Sequence, residues 1–285
     1  MEPLVSVIIP FYNGVGWLEE AVESVFLQNY PNIEIIVVND GSKEDVSQFL
    51  QKYGDRIKYY YQENAGPGKA RNNGLSHANG KYIALLDSDD LWTEGKLRYQ
   101  INYMEENPHI MWSHTSYETF GFGDDRVVDT SSFSGNVFIK SFISCTVATP
   151  CVVIRKSVLD ENPVLRFSET MRYGQDFYLW VLLSYMYEIG ATKEIYSKVR
   201  MRGSNAAKRA YVMLKAKKEL WQNLENNKAV PLDKVPFPIK FSYKWCGVFF
   251  NVVTFIEKFI KNKKLIEFIS KVFYIVPYVI LKILK

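Results

Sequence analysis

Asp87, Ser88, Asp89 and Asp90 stand together directly after the apolar run 81–86. A run of that length and composition reads as a buried strand, so the carboxylates are delivered by a strand end into the loop that follows. Hard divalent cations take oxygen ligands, and Mg²⁺ in particular binds through one or two carboxylates and leaves its other positions to phosphates and water. The chemistry indicated is capture of a phosphorylated ligand through a cation, although acidic loops after strands also occur that are merely solvated. One loop does not decide between these; its neighbours in the fold do.

The elements that must position this loop are legible in the first hundred residues. Strand-like segments at 4–9, 33–38, 57–61 and 82–86 alternate with helical patterns, in which Leu18, Ala21, Val22, Val25 and Phe26, and then Val46, Phe49 and Leu50, recur at helical spacing. That alternation predicts an α/β fold with a mainly parallel sheet flanked by helices. Right-handed crossovers would put the C-terminal ends of all four strands on one edge, where open α/β sheets bind ligands. Each strand ends in a polar or glycine-rich turn: Pro10-Phe11-Tyr12-Asn13-Gly14, Asn39-Asp40-Gly41-Ser42, Gln62-Glu63-Asn64-Ala65-Gly66 and the acidic quartet. Singly, Gly14 and Gly41 read equally well as turn closers and Ser42 as a helix cap. Four such turns on one edge read as a binding site.

At 285 residues the chain is long enough for one large domain and an appendage, and with 47% apolar, 15% aromatic and 23% charged residues it is globular rather than disordered. Its net charge of +4 is unevenly spread: residues 1–100 carry −5 and residues 231–285 carry +7. The basic excess belongs to the tail, which points to an anionic surface as its partner and not to nucleic acid held by the main domain. Cys145, Cys151 and Cys246 are too few and too irregularly spaced for a disulfide framework or a zinc site, which fits a reducing compartment. Met1-Glu2-Pro3 runs straight into a strand-like segment, so no secretory leader is expected, and the chemistry is expected on the cytoplasmic side. Beyond residue 110 the order loosens: 121–125 and 131–135 read as loops, 148–154 as a returning strand and 176–187 as a helix, with no internal repeat.

Taken in order, Ser6-Val7-Ile8-Ile9-Pro10-Phe11-Tyr12-Asn13, then Glu34-Ile35-Ile36-Val37-Val38-Asn39-Asp40-Gly41-Ser42, then Gly68-Lys69-Ala70-Arg71-Asn72-Asn73-Gly74, then Leu86-Asp87-Ser88-Asp89-Asp90 resemble glycosyltransferase family 2, the inverting enzymes of GT-A fold. The resemblance is strong over 4–100 and thinner to about 205. It implies a Rossmann-like GT-A domain over 1–205, divided into a nucleotide-binding half (1–100) and an acceptor half (101–205). It also implies a UDP-sugar donor, Mn²⁺ or Mg²⁺ as cofactor, and a saccharide or lipid-linked saccharide acceptor of bacterial surface-glycan assembly.

Residue by residue, the resemblance assigns Asp40 to the nucleobase, where a carboxylate can accept from the uracil imide N–H. Pro10, Tyr12, Asn13, Asn64 and Ser88 would shape the nucleotide pocket. Lys69 and Arg71, on the helix opening after Gly66-Pro67-Gly68, would meet the diphosphate, as helix N-termini and cations favour anions. Asp87 and Asp89 would hold the ribose and the metal–diphosphate group, with Asp89 the direct metal ligand. In Arg172-Tyr173-Gly174-Gln175-Asp176, Asp176 would be the base that deprotonates the acceptor, with Gln175 and Trp180 facing the acceptor. Gln175 stands where glutamate is usual, which changes local charge. Many relatives carry a histidine before the glycine-serine pair; here the stretch is Arg200-Met201-Arg202-Gly203-Ser204, and Arg200 or Arg202 would neutralise the diphosphate instead. His77, His109 and His114 read as structural or surface residues. Two other readings stay open: a non-catalytic nucleotide-sugar or glycan-binding module of the same fold, and a sugar nucleotidyltransferase, although the latter would more naturally carry a basic glycine-rich loop after the first strand.

The composition shifts at Pro231, Pro236 and Pro238, and 206–285 reads as a basic, aromatic helical extension. The uncharged stretches 245–256 and 272–281 are shorter than the about 20 residues that a membrane span needs. Leu265, Phe268, Ile269, Val272, Val276, Val279 and Ile283 form one stripe of an amphipathic helix opposite Glu267, Lys271, Tyr274, Tyr278, Lys282 and Lys285, with Pro277 expected to kink it. Such stripes commonly pack on their own domain; the concentration of Lys and aromatic residues instead favours peripheral contact of 237–285 with an anionic membrane, on the cytoplasmic face of the inner or plasma membrane. Removing 237–285 should then release the protein into the soluble fraction.

Overall fold

The apolar runs become strands and the periodic segments between them become helices. In this computed structural model, which describes residues 2–203 and 209–285, β1 (Val5–Phe11), β2 (Ile33–Asp40), β3 (Lys58–Gln62) and β4 (Tyr82–Leu85) pair in parallel, in the order β3-β2-β1-β4. The four turn-bearing strand ends therefore lie on one edge. Their crossovers are α1 (Val15–Phe26), α2 (Ser47–Tyr53) and α3 (Pro67–Ser76).

The sheet continues from β4 through β5 (Leu91–Trp92), β6 (Trp112–Gly121), β7 (Arg126–Val128), β8 (Val152–Arg155) and β9 (Ile189–Met201), giving the order β3-β2-β1-β4-β8-β6-β9-β5 with β7 hairpinned onto β6. β8 is antiparallel to both β4 and β6, β9 runs parallel to β6, and β5 is antiparallel to β9. The expected returning strand at 148–154 is thus β8, preceded by a 3₁₀ turn over Thr149–Cys151. The loop expected at 121–125 is the tip of the β6–β7 hairpin.

Alternation along β1 divides the core into two layers. Val7, Ile9 and Phe11 face α1, α2 and α4 (Lys96–Glu106); Ile8 faces the other side, where α3, α5 (Phe138–Ile143), α6 (Lys156–Glu161) and α7 (Gln175–Met186) pack. That second layer also takes in Leu220, Trp221 and Leu224 of α8 (Ala210–Asn227), Ile239 and Tyr243 of α9 (Phe237–Glu257) and Leu281 of α10 (Lys263–Ile283). Tyr243 Oη donates to the Phe142 carbonyl at 2.9 Å. The C-terminal helices are therefore docked on the main domain and share its core.

α10 continues as helix on both sides of Pro277. Proline removes the N–H that would bond the carbonyl of Phe273, four residues back. The Trp245 indole N–H of α9 takes that carbonyl instead, at 2.9 Å. No helix among the described residues is long and apolar enough to cross a membrane.

Candidate active site

The site is assembled turn by turn. After β2, Asn39 Oδ1 accepts the Ser42 N–H at 2.7 Å and closes the turn. Asp40 is buried there: its Oδ1 accepts from Gln62 Nε2 and from the Ala65 N–H, both at 2.8 Å, and its Oδ2 from the Gly66 N–H at 2.9 Å. Asn64 Nδ2 donates back to the Asp40 carbonyl at 3.0 Å. The Asp40 carboxylate thus shapes the turn after β3, and Oδ2, with a single partner, retains acceptor capacity for a ligand.

α3 starts at Pro67, and an added Cβ on Gly68 would meet the Ser168 carbonyl oxygen at 2.2 Å. Only glycine lets the helix approach the segment before α7 so closely. This approach seats Arg71 beneath the acidic loop, 4% exposed and ion-paired through Nη2 with Asp87 Oδ1. Its Nε and Nη1 have no partner. An unsatisfied buried donor costs on the order of 1–3 kcal/mol, more when charged, so negative charge placed close to the Arg71 guanidinium is favoured. Lys69 is exposed and does not line the cleft. Two positions along a helix are separated by about 200° of rotation, so Lys69 and Arg71 project from different sides of α3, and of the two only Arg71 lines the cleft.

In the acidic loop the Asp90 N–H bonds the Asp87 carbonyl at 3.0 Å. Asp90 turns inward and accepts the Arg200 backbone N–H at 2.7 Å. Burial, reinforced by the charges of Asp87 and Asp89, pushes its carboxyl well above the ordinary range. Asp89 pairs with Arg202 Nε at 3.1 Å, and burial, then the charge of Asp87, raises its carboxyl too. Arg200 braces the loop from behind: Nε donates to the Asp89 carbonyl at 2.8 Å, Nη2 pairs with Glu20, and the guanidinium lies 4.4 Å from the Phe120 ring centroid. Arg200 is a strut outside the cleft, and of the two arginines proposed for the diphosphate only Arg202 lines it.

Pro10, Tyr12, Asn13, Asp40, Asn64, Arg71, Asp87, Ser88, Asp89, Gln175 and Arg202 line one cleft of about 280 Å³. Phe11, Gly66, Pro67 and Arg172 complete it. Arg172 went unassigned in the sequence; its one signal is a cation two residues before the positive-φ Gly174 that caps α7. Gln175 is buried and its Oε1 has no partner.

Asp176 lies in the first turn of α7 and accepts from Thr149 Oγ1 at 3.2 Å through Oδ2. It lines a second cavity of about 490 Å³, so the consecutive residues Gln175 and Asp176 stand at the boundary of the two. Trp180 is a core residue, stacked on Trp112 with centroids 5.6 Å apart, and it borders the second cavity, not the first cleft. His114 is buried against the Phe133 carbonyl and His77 stacks on Tyr60, both away from the site. Ser204, the end of the 200–204 stretch, lies outside the described residues.

Among the described residues no group of three His, Cys, Asp or Glu converges as a metal ligand set. Asp87 and Asp89 offer oxygen ligands for one or two positions, a set that suits Mg²⁺ or Mn²⁺ completed by phosphate oxygens and water but not a closed all-protein cage.

A mainly parallel sheet with a polar cleft along its C-terminal strand edge, lined by an acidic loop and a buried arginine, is the architecture in which open α/β sheets bind their ligands. Residues 6–162 match the family model "Glycosyl transferase family 2", and the chain belongs to that family. It is 43% identical over 205 residues to an uncharacterized glycosyltransferase of Rickettsia bellii, covering 70% of this chain and 29% of the relative. With UDP-Glc:alpha-D-GlcNAc-diphosphoundecaprenol beta-1,3-glucosyltransferase WfgD of Escherichia coli it shares 30% identity over 244 residues, 84% of this chain and 92% of the relative. The crystal structure of S. aureus TarS 1–349 in complex with UDP-GlcNAc superposes with a TM-score of 0.62 at 19% identity over 98% of this chain and 90% of that one, which shows the GT-A fold. The chain spans about a third or less of the length of the rickettsial relatives it matches first.

Proposed function

We propose that the protein is an inverting, hexosyltransferase-type glycosyltransferase that moves a sugar from a UDP-sugar to a saccharide carried on a lipid, in the assembly of a bacterial surface glycan. The observation that carries this is the buried Arg71, with two unpaired N–H groups, in the same cleft as Asp40 and the Asp87–Asp89 pair. The Escherichia coli relative, matched over nearly its whole length, supports the donor and acceptor classes by its name.

In this reading Asp40 Oδ2 accepts from the uracil imide, Arg71 and Arg202 hold the diphosphate, and Asp176 faces the acceptor. The acceptor hydroxyl oxygen forms the new bond to the anomeric carbon while its proton passes to the Asp176 carboxylate. The bond from that carbon to the diphosphate breaks, and its electron pair leaves on UDP. Thr149, donating to the carboxylate, holds Asp176 in orientation. Asp89, with Asp87, would hold the Mn²⁺ or Mg²⁺, which when bound would offset the charge on the departing diphosphate. Burial beside a second carboxylate raises the Asp89 carboxyl, an imbalance that a cation relieves.

A panel of nucleotide sugars with and without Mn²⁺ or Mg²⁺, read by thermal stabilisation and by donor hydrolysis, tests the donor. UDP-sugars should stabilise the protein and other nucleotides should not; a protein indifferent to every uridine compound is not this enzyme. Asp176→Asn should abolish transfer, a loss of roughly a hundredfold or more, while UDP affinity stays. A non-catalytic binding module would show no turnover to lose.

Peripheral membrane contact belongs to the same proposal. Much of the stripe of α10 that sequence patterning marks as apolar faces solvent: Phe268 is 63% exposed, Val272 48% and Ile283 78%, while Ile269 packs inward. Phe255 and Phe259, at the C-terminal end of α9 and just beyond it, are 60% and 74% exposed. Scattered exposed apolar residues are ordinary, but a stripe shared by two adjacent helices and flanked by lysines suits the cytoplasmic face of an anionic membrane.

A further inference from the structure

The cavity beside Asp176 is walled on its far side by the C-terminal half of α10. Tyr274 and Lys282 come from that helix and Lys285 from just beyond its C-terminal cap, Lys217 from α8, and Asp176 and Trp180 from α7. Three lysines thus share one cavity with one carboxylate, a balance suited to an anion. Lys217 is 7% exposed, and its Nζ donates to a phenol, Tyr243 Oη, at 3.4 Å. Burial pulls its ammonium down to about 8. Desolvating a cation without a matched anion is unfavourable, and such a group is relieved when an anion binds. Trp180, 1% exposed, has an indole N–H with no partner. A buried cation whose nitrogen bonds a neutral phenol, beside a cavity of about 490 Å³ that two further lysines line, suits an anionic ligand.

We propose that this cavity binds the diphosphate of a lipid-linked acceptor, gripped by Lys217, Lys282 and Lys285, with α10 acting as the acceptor-side wall of the active site. The inference rests on the reading of Asp176 as the base, and adds to it where the acceptor's charged link sits and which residues hold it. α10 has one side toward the cavity, through Tyr274 and Leu281, and its apolar stripe exposed on another. A prenyl chain could therefore remain in the lipid while the diphosphate to which it is bonded enters the protein. Positive charge in the tail serves a defined group and not only a diffuse surface.

Binding of farnesyl diphosphate to the full-length protein saturated with UDP, followed by calorimetry below the lipid's micelle concentration, tests this. Farnesol and inorganic diphosphate are the comparison probes, and the variants are Lys282→Gln/Lys285→Gln, on the exposed helix end, and Lys217→Met. Farnesyl diphosphate should bind in the presence of UDP and weaken tenfold or more in both variants, with UDP affinity and melting temperature unchanged in the exposed pair. Equal affinity in the Lys282→Gln/Lys285→Gln protein overturns the proposal, as does competition between UDP and farnesyl diphosphate for one site. Farnesol binding as tightly would assign the lipid to the apolar stripe alone, and inorganic diphosphate binding as tightly would assign the cavity to a free anion; either removes the lipid-linked acceptor. Should UDP itself fail to bind, the donor reading falls, and the same titration without UDP still judges the cavity.

Discussion

Arg71 is the side chain on which the proposed nucleotide cleft turns, because it is buried, pairs with Asp87 and leaves Nε and Nη1 without a hydrogen-bond partner. Lysine keeps a charge but loses the planar fork that serves Asp87 and a phosphate together. Arg71→Lys should weaken UDP by about tenfold and Arg71→Met by up to a hundredfold, as expected for charge-assisted hydrogen bonds of roughly 1.5–3 kcal/mol; calorimetry reads both, and undiminished affinity would remove Arg71 from the diphosphate. Thr149 is a finer case. Its hydroxyl donates to the proposed base, so Thr149→Val should lower kcat several-fold with KM and UDP affinity little changed, and Thr149→Ser should restore it. Nothing in the sequence marks Thr149, since the pairing spans the distance from the turn before β8 to α7. Arg71, Asp87 and Asp40 were legible because each sits at a strand or helix end that local patterning locates. That Lys69 stands outside the cleft was not legible, because a motif names residues in order and not the side of the helix each occupies.

Strands β1, β2 and β4 could be read directly because a parallel strand covered on both faces is a continuous apolar run, and helical periods separate them. β6 escaped that test. Its Ser113, His114, Thr115 and Ser116 are all buried; the Ser113, His114 and Ser116 side chains bond Gln100, Phe133 and Thr192, whereas Thr130 reaches Thr115 only at its carbonyl and Thr115 Oγ1 has no hydrogen-bond partner among the described residues, so this core strand carries no apolar pattern. Helix α4 hides a similar surprise in Lys96, fully buried, donating to Gln100 Oε1 at 2.7 Å and lying 4.8 Å from the Trp92 ring centroid. Burial pulls its ammonium down to about 7 from an ordinary 10.5. The unfolded chain therefore holds a proton here that the folded chain gives up near neutrality. The resulting destabilisation is fully present below pH 7 and fades as pH rises toward 10.5, so stability should climb across that window by an amount on the order of a few kcal/mol. Lys96→Met should be the more stable protein at pH 6.5 and lose the slope; denaturant unfolding at pH 6.5 and 9 gives both, and a variant with the parent's slope would exonerate Lys96.

The C-terminal helices are at once part of the core and the most apolar exposed surface of the molecule. Deleting 237–285, the direct test of membrane contact that the sequence suggests, would strip Ile239, Tyr243 and Leu281 from the second core layer, so loss of sedimentation would report unfolding as readily as release. Substitution on the outward stripe avoids this, because Phe268, Val272, Val279 and Ile283 are 44% or more exposed. Changing all four to serine removes apolar area worth on the order of 1 kcal/mol per side chain at a lipid interface while leaving Ile266, Ser270, Pro277 and Leu281 to hold α10 in place. Flotation with vesicles containing phosphatidylglycerol should recover the parent and leave the variant behind, with melting temperature preserved. Raising salt should weaken the parent's binding only in part, since the lysine attraction is screened over about 10 Å at 0.1 M whereas apolar insertion is not. If parent and variant float alike at both salt concentrations, α10 does not rest on lipid, and its exposed stripe awaits another partner. If instead binding is lost with the stripe while UDP affinity persists, nucleotide recognition and membrane docking are separable functions of one chain, joined across the cavity that α10 encloses.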